Sequence, residues 1–232
     1  MLFQSGSFPR ANVVRISLFA MFSVVLLAFA SIANAAKPPK QNSALSISAT
    51  PKAVTYGQSV VIKGKLKVAS GMNQPVQLQA NAFPYTAFVG LTIVNTDAAG
   101  NYSMTVIPRL NTRYRVQSTT ATPQQTSIEL SVPVAPRISL RLSDRTPKSG
   151  QRVKFSGYVW PAHDGRLARI QRRSTTGAWR TLTRVRLADF SDTRSKYTKY
   201  LRIRSDGTYR VQLLADPDHA TGLSATRTAR VH

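Results

Sequence analysis

Proton transfer near neutral pH falls first to histidine, and this 232-residue chain has three: His163, His219 and His232. His163 follows Trp160-Pro161 in a predicted loop, and His232 is the last residue. General acid–base work needs a group held within hydrogen-bond reach of a substrate, which a frayed terminus does not offer. Paired carboxylates fare no better, because residues 36–135 contain only Asp97 and Glu129. The absence of cysteine excludes thiolate nucleophiles, thiolate metal sites and lipid attachment through an N-terminal cysteine. Asp216-Pro217-Asp218-His219 is an acidic cluster in a predicted loop, and calcium takes several carboxylate and carbonyl oxygens. No EF-hand spacing or Gly-rich calcium repeat accompanies it, and Asp-Pro in a loop ordinarily marks an Asx-type turn. The expectation is a non-enzyme with no catalytic residues, no metal site, no cofactor and no small-molecule substrate.

Charge points to a different kind of chemistry. The formal net charge is +23 with a pI near 11.4, a field that favours polyanions. Residues 36–135 carry nine Lys and Arg against two acids, whereas residues 136–232 carry twenty-one against seven. The second half also prefers arginine, whose planar fork suits bidentate contact with phosphate, sulfate and carboxylate. Strand alternation says where these arginines point. With Ala168 and Ile170 inward, Arg169 faces out; the same logic turns out Arg184 and Arg186 beside Val185 and Leu187, Arg210 between Tyr209 and Val211, and Arg230 between Ala229 and Val231. The expected result is a basic stripe binding an anionic cell-envelope polymer or lipid headgroups, with nucleic acid only a non-specific partner. The plainer reading is a solvated charged face. Arg202 and Arg204 are expected on the opposite sheet. Trp160 and Trp179 offer an alternative, a sugar-stacking platform for carbohydrate binding, against the commoner use of tryptophan in core or edge packing.

The elements that position these residues come in two copies. Gly57-Gln58 and Gly64 return as Gly150-Gln151 and Gly157, and Tyr102 and Tyr114 return as Tyr197 and Tyr209 with the same spacing of twelve. Tyr114-Arg115-Val116-Gln117 reappears as Tyr209-Arg210-Val211-Gln212. Chance does not preserve such order and spacing. Strict alternation marks half-buried strands, among them Val60, Ile62 and Leu66 in one copy and Tyr209, Val211 and Leu213 in the other. Turn signals such as Ala99-Gly100, Asp164-Gly165 and Asp206-Gly207 separate them, and no stretch after the leader has a helical period.

The N-terminus reads as an export signal. Arg10 and Arg15 precede an apolar run from Ile16 to Ile32, and Ala33-Asn34-Ala35 supplies the small residues that signal peptidase reads. The run is about 17 residues, at the short edge of a bilayer span, so an uncleaved anchor stays open beside cleavage after Ala35. The expected organisation is a signal peptide (1–35), a flexible leader (36–43), a first domain (44–133), a proline linker (134–136) and an Arg-rich second domain (137–232). The product is expected to be secreted or envelope-associated.

Asp206-Gly207-Thr208-Tyr209-Arg210-Val211 resembles the strand-F signature of immunoglobulin-like domains, with valine where a disulfide-bearing version has cysteine. Asp97-Ala98-Ala99-Gly100-Asn101-Tyr102 resembles the strand entry of tandem bacterial immunoglobulin-like repeats. The resemblance implies an all-β chain of two tandem Greek-key sandwiches, with Tyr209 at the corner between strands E and F and its hydroxyl bonded to nearby backbone. It implies no particular ligand, because such modules serve as spacers, adhesins and accessory domains.

Overall fold

The computed structural model describes residues 44–68, 72–120 and 123–232; the predicted signal segment and leader lie outside the described residues. The described chain forms strands and turns with no helix. The first half runs β1 (Ser48–Thr50), β2 (Val54–Thr55), β3 (Val60–Lys65), β4 (Pro75–Ala82), β5 (Val89–Asn95), β6 (Asn101–Val106), β7 (Thr112–Ser118) and β8 (Leu130–Val132). Next come β9 (Val134–Ala135), β10 (Arg137–Ile138), β11 (Arg141–Leu142), β12 (Gln151–Trp160), β13 (Leu167–Arg173) and β14 (Trp179–Arg186). The chain closes with β15 (Ala188–Ser191), β16 (Arg194–Ile203), β17 (Gly207–Leu213), β18 (Gly222–Leu223) and β19 (Arg227–Ala229).

Two pairs of sheets follow one plan. In the first half β1-β3-β6 faces β5-β4-β7-β8; in the second, β10-β12-β16-β15 faces β14-β13-β17-β18, with β11 on β12 and β19 on β17. The order is that of an immunoglobulin-like sandwich: strands A, B and E (and D in the second half) on one sheet, and C′, C, F and G on the other. Alternation dictates which residues meet between the layers. Val60, Ile62, Val76, Leu78, Met104, Tyr114 and Val116 belong to one buried cluster, and Val153, Phe155, Ala168, Ile170, Tyr209, Val211 and Leu213 to a second. Each such side chain contributes about 1.5–3 kcal/mol on leaving water, which is how sandwiches without disulfides are held.

The repeated glycines and tyrosines have physical reasons. Gly57 and Gly150 take φ of 88° and 81°, a left-handed turn conformation that costs a side chain. The glutamine after each closes the turn: Gln58 Oε1 accepts from the Thr55 N–H at 3.0 Å, and Gln151 Oε1 from the Lys148 N–H at 2.8 Å. Gln151→Ala is expected to cost about 1 kcal/mol, read from the urea midpoint, because the exposed amide left behind finds water. Gly64 and Gly157 serve a different purpose. Tyr102 donates its hydroxyl to the Ser46 carbonyl at 2.5 Å, and Tyr197 donates to Ser139 at 2.6 Å. Each bridge passes so close over its glycine that a Cβ there would collide with both the carbonyl and the phenol.

The tyrosine expectation needs correcting. The tyrosine whose hydroxyl reaches backbone in the second half is Tyr197 on β16; Tyr209 packs its ring edge-on against Phe155, with centroids 5.1 Å apart. The segment 134–136, expected as a proline linker, contains β9. β9 pairs in parallel with β2, Val134 is fully buried in the first cluster, and its carbonyl accepts from the Ala220 N–H at 2.9 Å. Proline stiffness was legible in the sequence, whereas a two-residue parallel strand depends on a partner eighty residues away.

Candidate functional site

The predicted stripe lies on one sheet. Ala168 and Ile170 are fully buried, which turns Arg169 outward, directly opposite Arg184 in the β13–β14 register. Arg186 lies opposite Leu167 and donates to the Gly165 carbonyl at 2.7 Å. Arg210, on β17, donates from Nε to Gln171 Oε1 at 2.8 Å and stacks its guanidinium 4.1 Å over the Trp179 ring. Arg230 follows β19, with its N–H on the Arg145 carbonyl, so it stands at the sheet margin. The sheet thus gathers Arg169, Arg184, Arg186 and Arg210. Arginines at directly opposed positions repel unless an anion or a partner intervenes.

Arg210 belongs to an arrangement that occurs twice. Gln171 passes the contact on, donating to Gln212 at 3.0 Å. In the first half Arg115 donates to Gln79 at 2.7 Å, Gln79 donates to Gln117 at 3.0 Å, and Arg115 stacks 4.1 Å over Phe88. The repeated Tyr-Arg-Val-Gln therefore encodes an outward Arg–Gln ladder capped by an aromatic ring. The repeat itself was the sequence signal; the capping ring was not visible, because it arrives from a different segment, Phe88 just before β5 and Trp179 at the start of β14.

Sequence reasoning did not find the denser face, on the opposite sheet. Val153, Phe155 and Val159 point inward on β12, so Arg152, Lys154, Tyr158 and Trp160 point out. Register sets Arg202, Tyr200 and Lys196 of β16 opposite Arg152, Lys154 and Tyr158, and Arg137 and Arg141 opposite Trp160 and Ser156. Arg194 fills the corner, 4.7 Å from the Tyr158 ring and 4.6 Å from that of Phe190. Arg137 lies 4.2 Å over Trp160, Lys196 lies 5.4 Å from Phe190, and Arg152 lies 5.1 Å from Tyr200. Arg202 is thus on the opposite sheet, as expected. Strands β10, β11, β12 and β16 carry no Asp or Glu, and Asp189 is exposed on the edge strand β15. Seven cations and four aromatic rings interleave there.

Both tryptophans are half-buried on outer faces and absent from the two core clusters. Trp179 begins the edge strand β14 beneath Arg210, so it packs at the sheet edge and not in the core. Trp160 ends β12 at the surface, between Arg137 and Arg194.

In the loop Asp216–His219, Asp216 Oδ1 accepts from the His219 N–H, three residues on, at 2.7 Å. The fold also brings His163 to it, with ring centroids of His163 and His219 4.9 Å apart. One ligating atom each from His163, Asp216, Asp218 and His219 lies within 4.8 Å of the others. These residues could hold a metal ion. Burial holds the His163 imidazole below its ordinary pKa. Arg166 forms an ion pair with Asp216 and donates to the Leu214 carbonyl at 2.9 Å.

No protein-family model matches the sequence, and no curated protein matches it. Among solved structures the chain is similar to the polymeric Ig receptor ectodomain of a teleost fish, at 12% identity and a TM-score of 0.35, covering 81% of this chain and 97% of that one. It is also similar to a tetra-tandem repeat in the extending region of a large adhesion protein, at 13% identity and a TM-score of 0.33, covering 80% of this chain and 48% of that one. The fold assignment rests on the strand order and the paired cores of the chain itself.

Proposed function

We propose that this is a non-catalytic, exported binding or structural protein that attaches to an anionic polymer of the cell envelope through its second half. The observation that carries the reading is the outer face of the β10-β12-β16-β15 sheet, where seven cations interleave with four aromatic rings and strands β10, β11, β12 and β16 hold no carboxylate. Cations seated over ring faces are pre-positioned, so less side-chain entropy is lost when an anion arrives. The Arg169, Arg184, Arg186 and Arg210 stripe presents a second basic surface on the opposite sheet, so one module can engage two polymer segments. Attachment is multivalent ion pairing, weakened by salt. Against catalysis, the histidines that meet are 5% and 2% exposed at their side chains, and each ties one ring nitrogen to a backbone carbonyl.

Trp160 favours a second reading within the same face. An aromatic ring flanked by Arg137 and Arg194 suits a sugar ring carrying an acidic group, which joins carbohydrate stacking to charge recognition.

Binding to dextran sulfate and to neutral dextran, across a salt series, tests both readings. The triple variant Arg137→Ala/Arg194→Ala/Lys196→Ala is expected to weaken dextran sulfate binding by roughly 10- to 100-fold at low salt, with each cation worth about 0.5–1 kcal/mol. Arg169→Ala/Arg184→Ala/Arg186→Ala should have the smaller effect. Binding that ignores salt and both triple variants removes the polyanion reading. Neutral dextran binding lost in Trp160→Ala would establish the sugar reading in its place.

A further inference from the structure

Hydrogen bonding fixes which nitrogen of each buried imidazole carries its proton. His163 Nδ1 lies 2.8 Å from the Pro161 carbonyl, and His219 Nε2 lies 3.0 Å from the Arg109 carbonyl. A carbonyl only accepts, so both of these nitrogens are N–H donors. The remaining nitrogens, His163 Nε2 and His219 Nδ1, are the ones a metal ion would take. Both are buried and lack a hydrogen-bond partner, on side chains 5% and 2% exposed. They point at carboxylates: His163 Nε2 is 3.6 Å from Asp216 Oδ2, and His219 Nδ1 is 3.3 Å from Asp218 Oδ1. Arg166 already pairs with Asp216 Oδ2, whereas the two imidazole nitrogens have no donor opposite them.

We propose that His163, Asp216, Asp218 and His219 form a binding site for a divalent transition-metal ion, with zinc the ion that fits best. Two imidazole nitrogens and two carboxylate oxygens are a zinc-type donor set; calcium and magnesium take oxygen throughout. Zinc bonds of about 2.0–2.1 Å in a tetrahedron place ligand atoms about 3.3 Å apart, so the two His–Asp edges are already near the required length. The outer contacts are those that metal-binding histidines need, with the second ring nitrogen of each tied to a carbonyl. Ser195 accepts from the His163 N–H at 2.6 Å and donates to Asp164 at 2.6 Å, which anchors the loop that presents His163. Asp216 Oδ1 is held by the His219 N–H and Oδ2 pairs with Arg166, so an ion at Oδ2 shares that oxygen with the guanidinium. The Asp218 side chain is 38% exposed and provides the way in.

The site lies where the two halves meet. The Arg109 carbonyl holds His219, and the Asn111 N–H donates to the Asp218 carbonyl at 2.8 Å. Bound zinc therefore ties three residues of one loop to His163 and stiffens the contact with the Arg109–Asn111 segment.

The experiment titrates the full chain, untagged and stripped of metal by EDTA, with Zn2+ at neutral pH by calorimetry, and repeats it with Co2+ under visible spectroscopy. The expected result is one ion per chain, with the intense visible bands of tetrahedral Co2+. His219→Gln, whose amide can still donate to the Arg109 carbonyl, and His163→Ala should each weaken Zn2+ binding by more than about 100-fold, the upper range for losing only an outer partner. His232→Ala should leave it unchanged. Circular dichroism of each variant separates a lost ligand from a lost fold. Absence of saturable Zn2+ binding, or unchanged affinity in a folded His219→Gln protein, overturns the proposal.

Discussion

Raising the pH above 10 is expected to unfold this protein over a narrow range. Tyr102, Tyr114 and Tyr197 are at most 4% exposed, and burial raises the pKa of each phenol, that of Tyr114 to about 12. In the unfolded chain a tyrosine loses its proton near pH 10. Above that pH the unfolded state holds fewer protons than the folded state, so stability falls as pH rises. The contribution of these neutral phenols is complete below pH 10 and is lost as pH climbs toward their raised folded pKa values. Each proton retained only by the fold costs about 1.4 kcal/mol per pH unit, and three together cost about 4. A stability of about 5–15 kcal/mol is then exhausted within a few pH units. Relief of self-repulsion offsets little of this, because 22 of the 32 cationic residues are arginines that keep their charge. Far-UV circular dichroism and tyrosinate absorbance, followed against pH, should change together. If all eight tyrosines ionise near pH 10 with the strand signal intact, the buried phenols are not held as described.

Gly157→Ala is expected to destabilise the second half by about 3–5 kcal/mol, far beyond the usual cost of replacing a strand glycine. The added methyl would collide with the Ser139 carbonyl and the Tyr197 hydroxyl, which are bonded to each other across the position. Overpacking alone costs about 1–3 kcal/mol, and parting the buried hydroxyl from its carbonyl adds about 1–3 more. Tyr197→Phe supplies the comparison, since it removes the hydroxyl but keeps the ring in place. It should cost about 1–2 kcal/mol, clearly less than the glycine variant. Urea unfolding measures both. A Gly157→Ala protein within about 1 kcal/mol of the parent means that β12 can move away from Ser139, and the bridge is then not a constraint. Gly64→Ala should behave alike against Ser46 and Tyr102, which makes the effect a property of the repeated unit.

Much of the fold was legible along the chain because its signals are local. Alternation at Val60 and Ile62, or at Tyr209 and Val211, states which side of a strand is dry, whatever that strand pairs with. Gly57 and Gly150 mark turns through their own backbone freedom. The duplication survives as matched spacing, so the repeated strand order could be expected before any strand was placed. The outward direction of Arg169, Arg184 and Arg210 followed from the same period-two rule.

The candidate sites depend on which strands become neighbours, and no local rule supplies that. Arg152 and Arg202 share a face because β12 and β16 run antiparallel in one register; fifty residues apart, they gave no sign of it. Tyr197 displaces Tyr209 as the bridging tyrosine because only the β16 ring lies over the gap at Gly157. Trp179 came to the surface because its partner was an arginine two strands away. His163 and His219 read as unrelated loop residues until the sandwich closed one end and set their rings edge to edge. Side-chain chemistry and strand period act over a few residues and can be read in order. Cross-strand pairing and loop convergence are decided by burying two sheet faces at once, so they exist only in the folded chain.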